Sequence, residues 1–132
     1  MRCHCDSMLP FENCCKPFLT GEQTVTTALA LMRSRYSAHV ERNADYIWNT
    51  YGQEQRQNLS IEVLRQSLEN ITWQELEILR VVRGRNEDDY GEVEFVAHYV
   101  HNHASLSMIE HSYFKKENGN WKYIGQVDSK NN

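Results

Sequence analysis

The sequence predicts an α+β domain in which a group of helices comes first and an antiparallel sheet of about four strands follows. Apolar residues recur at helical spacing as far as about residue 69. From Trp73 onward they alternate with polar residues, as in half-buried strands. In addition, four cysteines lie between positions 3 and 15. Their clustering predicts a small metal-binding knuckle ahead of the main domain.

Length and composition indicate one globular domain. The chain has 132 residues, of which 40% are hydrophobic and 24% are charged, and its net charge is -4. This negative charge argues against a dedicated nucleic-acid-binding protein, because phosphate contacts dominate such affinity. No apolar run reaches the roughly 18 residues of a membrane span, and the N-terminus lacks the apolar stretch of a secretory signal. We therefore expect a cytoplasmic protein.

The predicted helices and strands follow from these two periodicities. The helices cover residues 28–42, a short segment around Trp48, and residues 61–69. Their expected N-caps are Thr27, either Asn43 or Asp45, and Ser60. The strands cover residues 73–82, 93–100, 106–114 and 121–127, and the polar residues 52–58 form a loop. Asn118-Gly119 predicts a tight turn before the last strand.

Three segments are expected along the chain: a zinc knuckle with its connector at 1–21, the α+β domain at 22–128, and a disordered tail at 129–132. Because metal binding supplies the folding free energy of small zinc modules, the knuckle is expected to fold independently of the main domain.

The cysteine spacing is Cys3-x-Cys5, eight residues, then Cys14-Cys15. Four thiolates satisfy a tetrahedral zinc ion and leave no coordination position for water, so such a site is structural rather than catalytic. Two disulfides, or free cysteines in a disordered tail, are the alternatives. A reducing compartment argues against the disulfides.

The segment CHCDSMLPFENCC resembles the SEC-C motif, the short zinc-binding tail of the preprotein translocase SecA. That motif runs C-x-C-x-S, then a gap, then C followed by C or H. The matching positions are Cys3, Cys5, Ser7, Cys14 and Cys15. Asp6 and Met8 stand where the motif usually has glycine.

Further segments resemble the YchJ family, which joins a SEC-C motif to a nuclear transport factor 2-like domain. They are KPFLTG, LMRSRYSAHV, WQELEI, GEVEFVA and EHSYF. The resemblance implies a cone-shaped, cystatin-like fold, with a curved sheet around the helices and a cavity at the wide end. Such sheets often pair through their open face, so the resemblance also allows a homodimer.

Charged and polar residues of the first predicted helix and the third predicted strand mark a second candidate site. The residues concerned are Arg33, Arg35, Tyr36, Glu110 and Ser112. Glu110 interrupts an apolar strand face, and an unpaired buried charge is costly. We therefore predict a buried salt bridge from Glu110 to Arg33 or Arg35. The alternative is a polar anchor in a ligand-binding pocket.

These features favour a non-catalytic protein-interaction or adaptor module whose knuckle contacts a protein partner. The alternative is a small-molecule binder or an enzyme that uses the cavity of the cone. No fingerprint of a nucleotide-binding loop or a serine hydrolase occurs in the sequence. A weak nucleic-acid contact through Arg2, His4 and Lys16 is a third, less favoured hypothesis.

Overall fold

The computed structural model describes residues 1–127 and confirms the α+β class, with helices followed by a four-stranded antiparallel sheet. After a 3-10 helix at Phe11–Asn13, the α-helices are α1 (Lys16–Leu19), α2 (Ala28–Val40), α3 (Ala44–Asn49), α4 (Gln53–Gln57) and α5 (Ile61–Ser67). The strands are β1 (Thr72–Arg83), β2 (Tyr90–His101), β3 (Ala104–Glu117) and β4 (Asn120–Gln126). The predicted tail, 129–132, lies outside the described residues. Within residues 1–127, no helix is long and apolar enough to span a membrane.

The helix starts follow the predicted capping residues. The side-chain oxygens of Thr27, Asn43 and Ser60 each accept a hydrogen bond from the backbone N–H three residues later. Asn43, rather than Asp45, is therefore the cap of α3. The predicted loop at 52–58 is wrong, because it contains the short helix α4, whose glutamine, glutamate and arginine residues are good helix formers.

The strands form a sheet in sequence order, β1-β2-β3-β4. Asn118 and Gly119 have φ angles of 53° and 82°, as the predicted tight hairpin turn requires. Between Ile78 and Arg80 the register of β1 against β2 shifts. This irregularity breaks the alternation of faces. Arg80, which strict alternation would place on the core face, is consequently exposed.

Two glycines fix the start of α2 against the β1–β2 hairpin. A Cβ added to Gly91 would lie 2.4 Å from the Cα of Gly84, so the two backbones approach too closely for any side chain there. The Gly84 carbonyl accepts a hydrogen bond from the Ala28 N–H at 2.9 Å. From this attachment α2 runs across the sheet and contacts β1, β2 and β4.

One buried cluster joins the cysteine-rich segment to the main domain. Cys3, Cys5 and Cys15 are at most 4% exposed. They share this cluster with side chains from α2 and all four strands, which include Leu31, Met32, Leu76, Phe95, Phe114 and Trp121. The predicted boundary after residue 21 therefore separates two sequence segments, but the hydrophobic packing is continuous across it.

Candidate metal centre and adjoining cavity

The four cysteine sulfur atoms converge at the N-terminus and lie within 4.8 Å of one another. The Cys14 sulfur is 3.7 Å from that of Cys5 and 4.0 Å from that of Cys15. A tetrahedral ion with metal–sulfur bonds of about 2.3 Å requires sulfur atoms about 3.8 Å apart. All four cysteines are free thiols rather than disulfides. The cluster thus has the dimensions and the donor atoms to hold one metal ion.

Short backbone contacts bring the two cysteine pairs together. Arg2 and Pro10 form an antiparallel bridge, and the Cys3 N–H donates to the Leu9 carbonyl at 2.8 Å. These contacts close the first pair into a hairpin-like loop. The 3-10 helix at Phe11–Asn13 then leads directly into the second pair, Cys14 and Cys15.

This loop carries two residues in the left-handed backbone region, where the SEC-C motif usually has glycine. Asp6 has a φ of 61° and Met8 a φ of 71°. The Asp6 carboxylate accepts a hydrogen bond from the Leu76 N–H of β1 at 3.1 Å, which ties the loop to the sheet. Met8 is 65% exposed, so its side chain has little packing to offset the backbone cost.

We predict that Met8→Gly raises the free energy of unfolding by about 0.5–1 kcal/mol, because glycine relieves the left-handed strain. Asp6→Gly relieves similar strain but also removes the bond to Leu76, so it should give no net gain. Urea denaturation of the two variants tests this difference. A Met8→Gly protein less stable than the wild type would contradict the strain argument.

The free thiols hydrogen-bond to one another. Donation from Cys15 and Cys5 lowers the pKa of Cys3, and the same bond to Cys3 raises the pKa of Cys15. Burial raises the pKa of Cys14 to about 11. Metal binding must therefore release protons from this cluster, since only thiolates ligate the metal.

Two hydroxyl groups approach the sulfur atoms from outside the cluster. The Ser7 Oγ lies 3.1 Å from the Cys14 sulfur, and the Ser37 Oγ lies 3.6 Å from the Cys3 sulfur. Ser37 is fully buried on α2, so this contact links the metal centre to the main domain. Once the cysteines are thiolates, both hydroxyls can donate hydrogen bonds to them and orient them.

We predict that Ser37→Ala weakens metal binding about tenfold, because outer-shell partners of metal ligands typically have effects of that size. Ser34→Ala is the matched control: Ser34 is also fully buried on α2 but bonds to the Tyr46 hydroxyl at 2.6 Å. Competition with a chromophoric chelator measures the affinities. Equal losses of affinity in the two variants would show that the effect is general loosening of α2.

Two polar contacts also connect the knuckle to α2, one at Arg33 within the helix and one at Glu41, the C-cap of the helix. Arg33 donates from Nη1 to the Cys5 carbonyl at 2.5 Å, and His4 pairs with Glu41 at 2.7 Å. Arg33 therefore lies beside the candidate metal centre, where its positive charge is near a cluster that would carry net negative charge with a bound divalent ion. The sequence contained no signal for Glu41 or Ser37, because their roles arise only when α2 docks against the knuckle.

A cavity of about 140 Å³ lies between α2 and the sheet. Its walls are formed by Met32, Arg35, Tyr36, His39, Tyr51, Trp73, Phe95, Ala97, Met108, Glu110, Ser112 and Tyr123. The cavity thus unites Arg35, Tyr36, Glu110 and Ser112, which the sequence had marked as a candidate site. Arg33 does not line it.

Arg35 supplies the positive charge of the cavity, although it is only 5% exposed. Its Nη1 donates to the Ile47 carbonyl at 2.9 Å and to the Thr50 hydroxyl at 2.6 Å. The guanidinium carbon lies 4.4 Å from the ring centre of Tyr51 and 4.6 Å from that of Tyr123. Burial lowers the pKa of Arg35, but a guanidinium remains charged in proteins.

The predicted salt bridge of Glu110 is wrong: within residues 1–127, no arginine lies within 4.0 Å of its carboxylate. Instead the carboxylate accepts hydrogen bonds from Ser112, from Tyr123 at 3.0 Å and from Gln126 at 3.3 Å. Tyr123 connects the two charges, because its ring lies against Arg35 while its hydroxyl donates to Glu110. Three neutral donors therefore satisfy the carboxylate without a counter-charge.

His39 and the aromatic residues of the wall other than Tyr36 were not identified from the sequence. Burial lowers the pKa of His39 to about 4, so the imidazole is neutral at neutral pH. Its Nδ1 lies 2.8 Å from the Arg35 carbonyl, and its ring packs edge-on against Trp73. Helical spacing could have found it, because His39 lies one turn after Arg35 on the same face of α2. Tyr51 and Tyr123 could not be found this way, since they come from distant segments.

A four-cysteine knuckle followed by helices on a four-stranded antiparallel sheet defines the class: a SEC-C motif joined to a nuclear transport factor 2-like domain. A family model described as the YchJ middle NTF2-like domain matches residues 27–126. The chain belongs to the YchJ family, also designated UPF0225.

Relatives and solved structures agree with this placement. A UPF0225 protein from Vibrio vulnificus is 39% identical over 127 residues, which cover 92% of this chain and 72% of the relative. A SEC-C motif containing protein from Rhodopseudomonas palustris has 32% identity and a TM-score of 0.87, and the match covers 97% of this chain and 100% of that one. A second such protein, from Psychrobacter arcticus, has 25% identity and a TM-score of 0.78, with coverage of 98% and 81% respectively.

Proposed function

We propose that the protein is a non-catalytic adaptor in which Cys3, Cys5, Cys14 and Cys15 hold a structural zinc ion. An all-thiolate tetrahedral site is typical of structural zinc. Since the four sulfurs would fill the coordination sphere, the ion would offer no position to a substrate or a water molecule. Its role would be to hold the first 15 residues in one rigid shape.

The observation that carries the adaptor role is the exposed apolar tip of the knuckle. We define this tip as Met1, Met8 and Leu9, which are 84%, 65% and 52% exposed. The Leu9 carbonyl accepts a hydrogen bond from the Cys3 N–H at 2.8 Å, and the Met1 carbonyl accepts one from the Phe11 N–H at 3.0 Å, so the backbone of the tip is held by the knuckle. Methionine-rich surfaces adapt to irregular apolar partners, and exposed apolar groups on a fixed scaffold are typical of binding sites. We infer a protein partner with an apolar groove.

The partner is expected in the cytoplasm, because a reducing compartment keeps the thiols available for the metal. A homodimer that pairs through the sheet would leave the tip free for such a partner, since the tip belongs to the knuckle and not to the strands.

Site-specific photo-crosslinking in living cells tests the adaptor role. A benzophenone amino acid at Met8 should give a discrete crosslinked product, and Cys14→Ser in the same protein should abolish that product. Val63 on α5 is a matched control position, because it is an apolar side chain with 64% exposure far from the cysteines in sequence. The proposal fails if Met8 gives no product, or if both positions give the same products.

A further inference from the structure

The cavity between α2 and the sheet is a second site, separate from the knuckle. We propose that it binds a small organic monocarboxylate, whose carboxylate pairs with Arg35 and whose apolar body lies against the hydrophobic wall. This proposal does not depend on the adaptor role, since it involves no residue of the knuckle tip.

Arg35 is the anchor, because the fold buries its charge without neutralising it. Within residues 1–127, no carboxylate lies within 4.0 Å of the guanidinium. A guanidinium has five N–H donors, and the protein engages Nη1 through Ile47 and Thr50. The rings of Tyr51 and Tyr123 lie against the guanidinium and stabilise the cation, but these neutral rings supply no negative charge to balance it. A ligand carboxylate would pair with the remaining donors through charge-assisted hydrogen bonds.

The remaining walls set the size and the character of the ligand. Met32 from α2 and Trp73, Phe95 and Met108 from the sheet contribute apolar surface to the cavity wall. The volume, about 140 Å³, is close to that of an engineered cavity of about 150 Å³ in another protein that binds benzene. The ligand should therefore contain roughly six to eight non-hydrogen atoms.

Glu110 restricts the ligand to a single negative charge. Its carboxylate lines the same cavity and already accepts three hydrogen bonds from Ser112, Tyr123 and Gln126. His39 adds no charge at neutral pH, since its pKa is held at about 4. One ligand carboxylate would compensate Arg35, whereas a second carboxylate in the same space would be repelled by Glu110.

Three probes of similar size separate these contributions: isovalerate, isoamyl alcohol and succinate. Binding to the full metal-replete chain is followed by two-dimensional NMR. Isovalerate should bind with a dissociation constant of about 1 mM, as ligand size suggests. The alcohol, which lacks the charge, and succinate, which carries two, should each bind at least about tenfold more weakly. Equal binding of the alcohol, or no isovalerate binding up to about 20 mM, would overturn the proposal.

A pair of variants on β2 locates the binding site. Ala97 is 1% exposed and lines the cavity, so Ala97→Leu should fill the space and weaken isovalerate binding at least about tenfold. Val96→Leu is the control, because Val96 precedes it on the strand and faces the opposite side of the sheet. The NMR spectra of both variants report folding directly. Unchanged binding in a folded Ala97→Leu protein would also overturn the proposal.

Discussion

Replacing Cys14 with serine is expected to lower the free energy of unfolding of the whole chain by about 3–5 kcal/mol, or the melting temperature by roughly 10–20 °C. The loss of one ligand opens the metal site, and the remaining cysteines belong to the core cluster of the main domain. Cys14 is only half-buried, so the serine itself should add little to the penalty. Calorimetry should show one cooperative transition at lower temperature.

A chelator provides the control for this variant. It should destabilise the wild type to about the level of Cys14→Ser and leave the variant unchanged, because both treatments remove the same ion. If the main transition stays at the wild-type temperature while only the first 20 or so residues lose structure, the knuckle is an independent module, as the sequence alone suggested.

Replacing Arg35 with alanine is expected to cost about 3 kcal/mol of unfolding free energy. The change removes the packing of the arginine stem, two cation–π contacts and the hydrogen bonds to Ile47 and Thr50. Arg65→Ala is the matched control, because Arg65 is 47% exposed and pairs with Asp45 and Glu62 at the surface. Such surface pairs contribute about 0–1 kcal/mol. Urea denaturation separates the two outcomes, and equal small losses would contradict the account of Arg35.

A double-mutant cycle of Arg35→Ala and Glu110→Ala then tests whether the two charges interact directly. Glu110→Ala should cost about 1–3 kcal/mol, since it leaves the hydroxyls of Ser112 and Tyr123 without their acceptor. Because Tyr123 lies between the two charges, their coupling energy should be below about 1 kcal/mol. A coupling of about 3 kcal/mol or more would indicate the direct ion pair that the sequence had suggested.

The elements of the fold were predictable where the signal is local. The caps Thr27 and Ser60, the helical spacing of α2 and the Asn118-Gly119 turn all depend on residues a few positions apart. The exposure of Arg80 was not predictable, because the register shift in β1 arises from pairing with β2. The same limit applies to the core, in which the cysteines join side chains more than 100 residues away.

The two candidate sites also differ in how much of each could be predicted from the sequence. The cysteine cluster could be predicted because its ligands lie close together in the sequence and because their spacing resembles the SEC-C motif. Its attachment through Ser37 and Arg33 depends on docking, and no sequence pattern marks it. In the cavity, residue types at core positions identified Arg35 and Glu110, but not their partners. The sequence suggested a direct pair between Arg35 and Glu110. Instead, the Arg35 guanidinium lies against the ring of Tyr123, and the Glu110 carboxylate accepts hydrogen bonds from neutral donors that include the Tyr123 hydroxyl.

We propose that the four cysteines hold one zinc ion in a closed, all-sulfur site. Elemental analysis combined with X-ray absorption spectroscopy, on protein purified without a chelator, tests it most directly. The account predicts one zinc per chain, coordinated by four sulfur atoms at about 2.3 Å. Protein without bound metal and with four titratable thiols would contradict the claim, as would a zinc ion with nitrogen or oxygen in place of a cysteine sulfur.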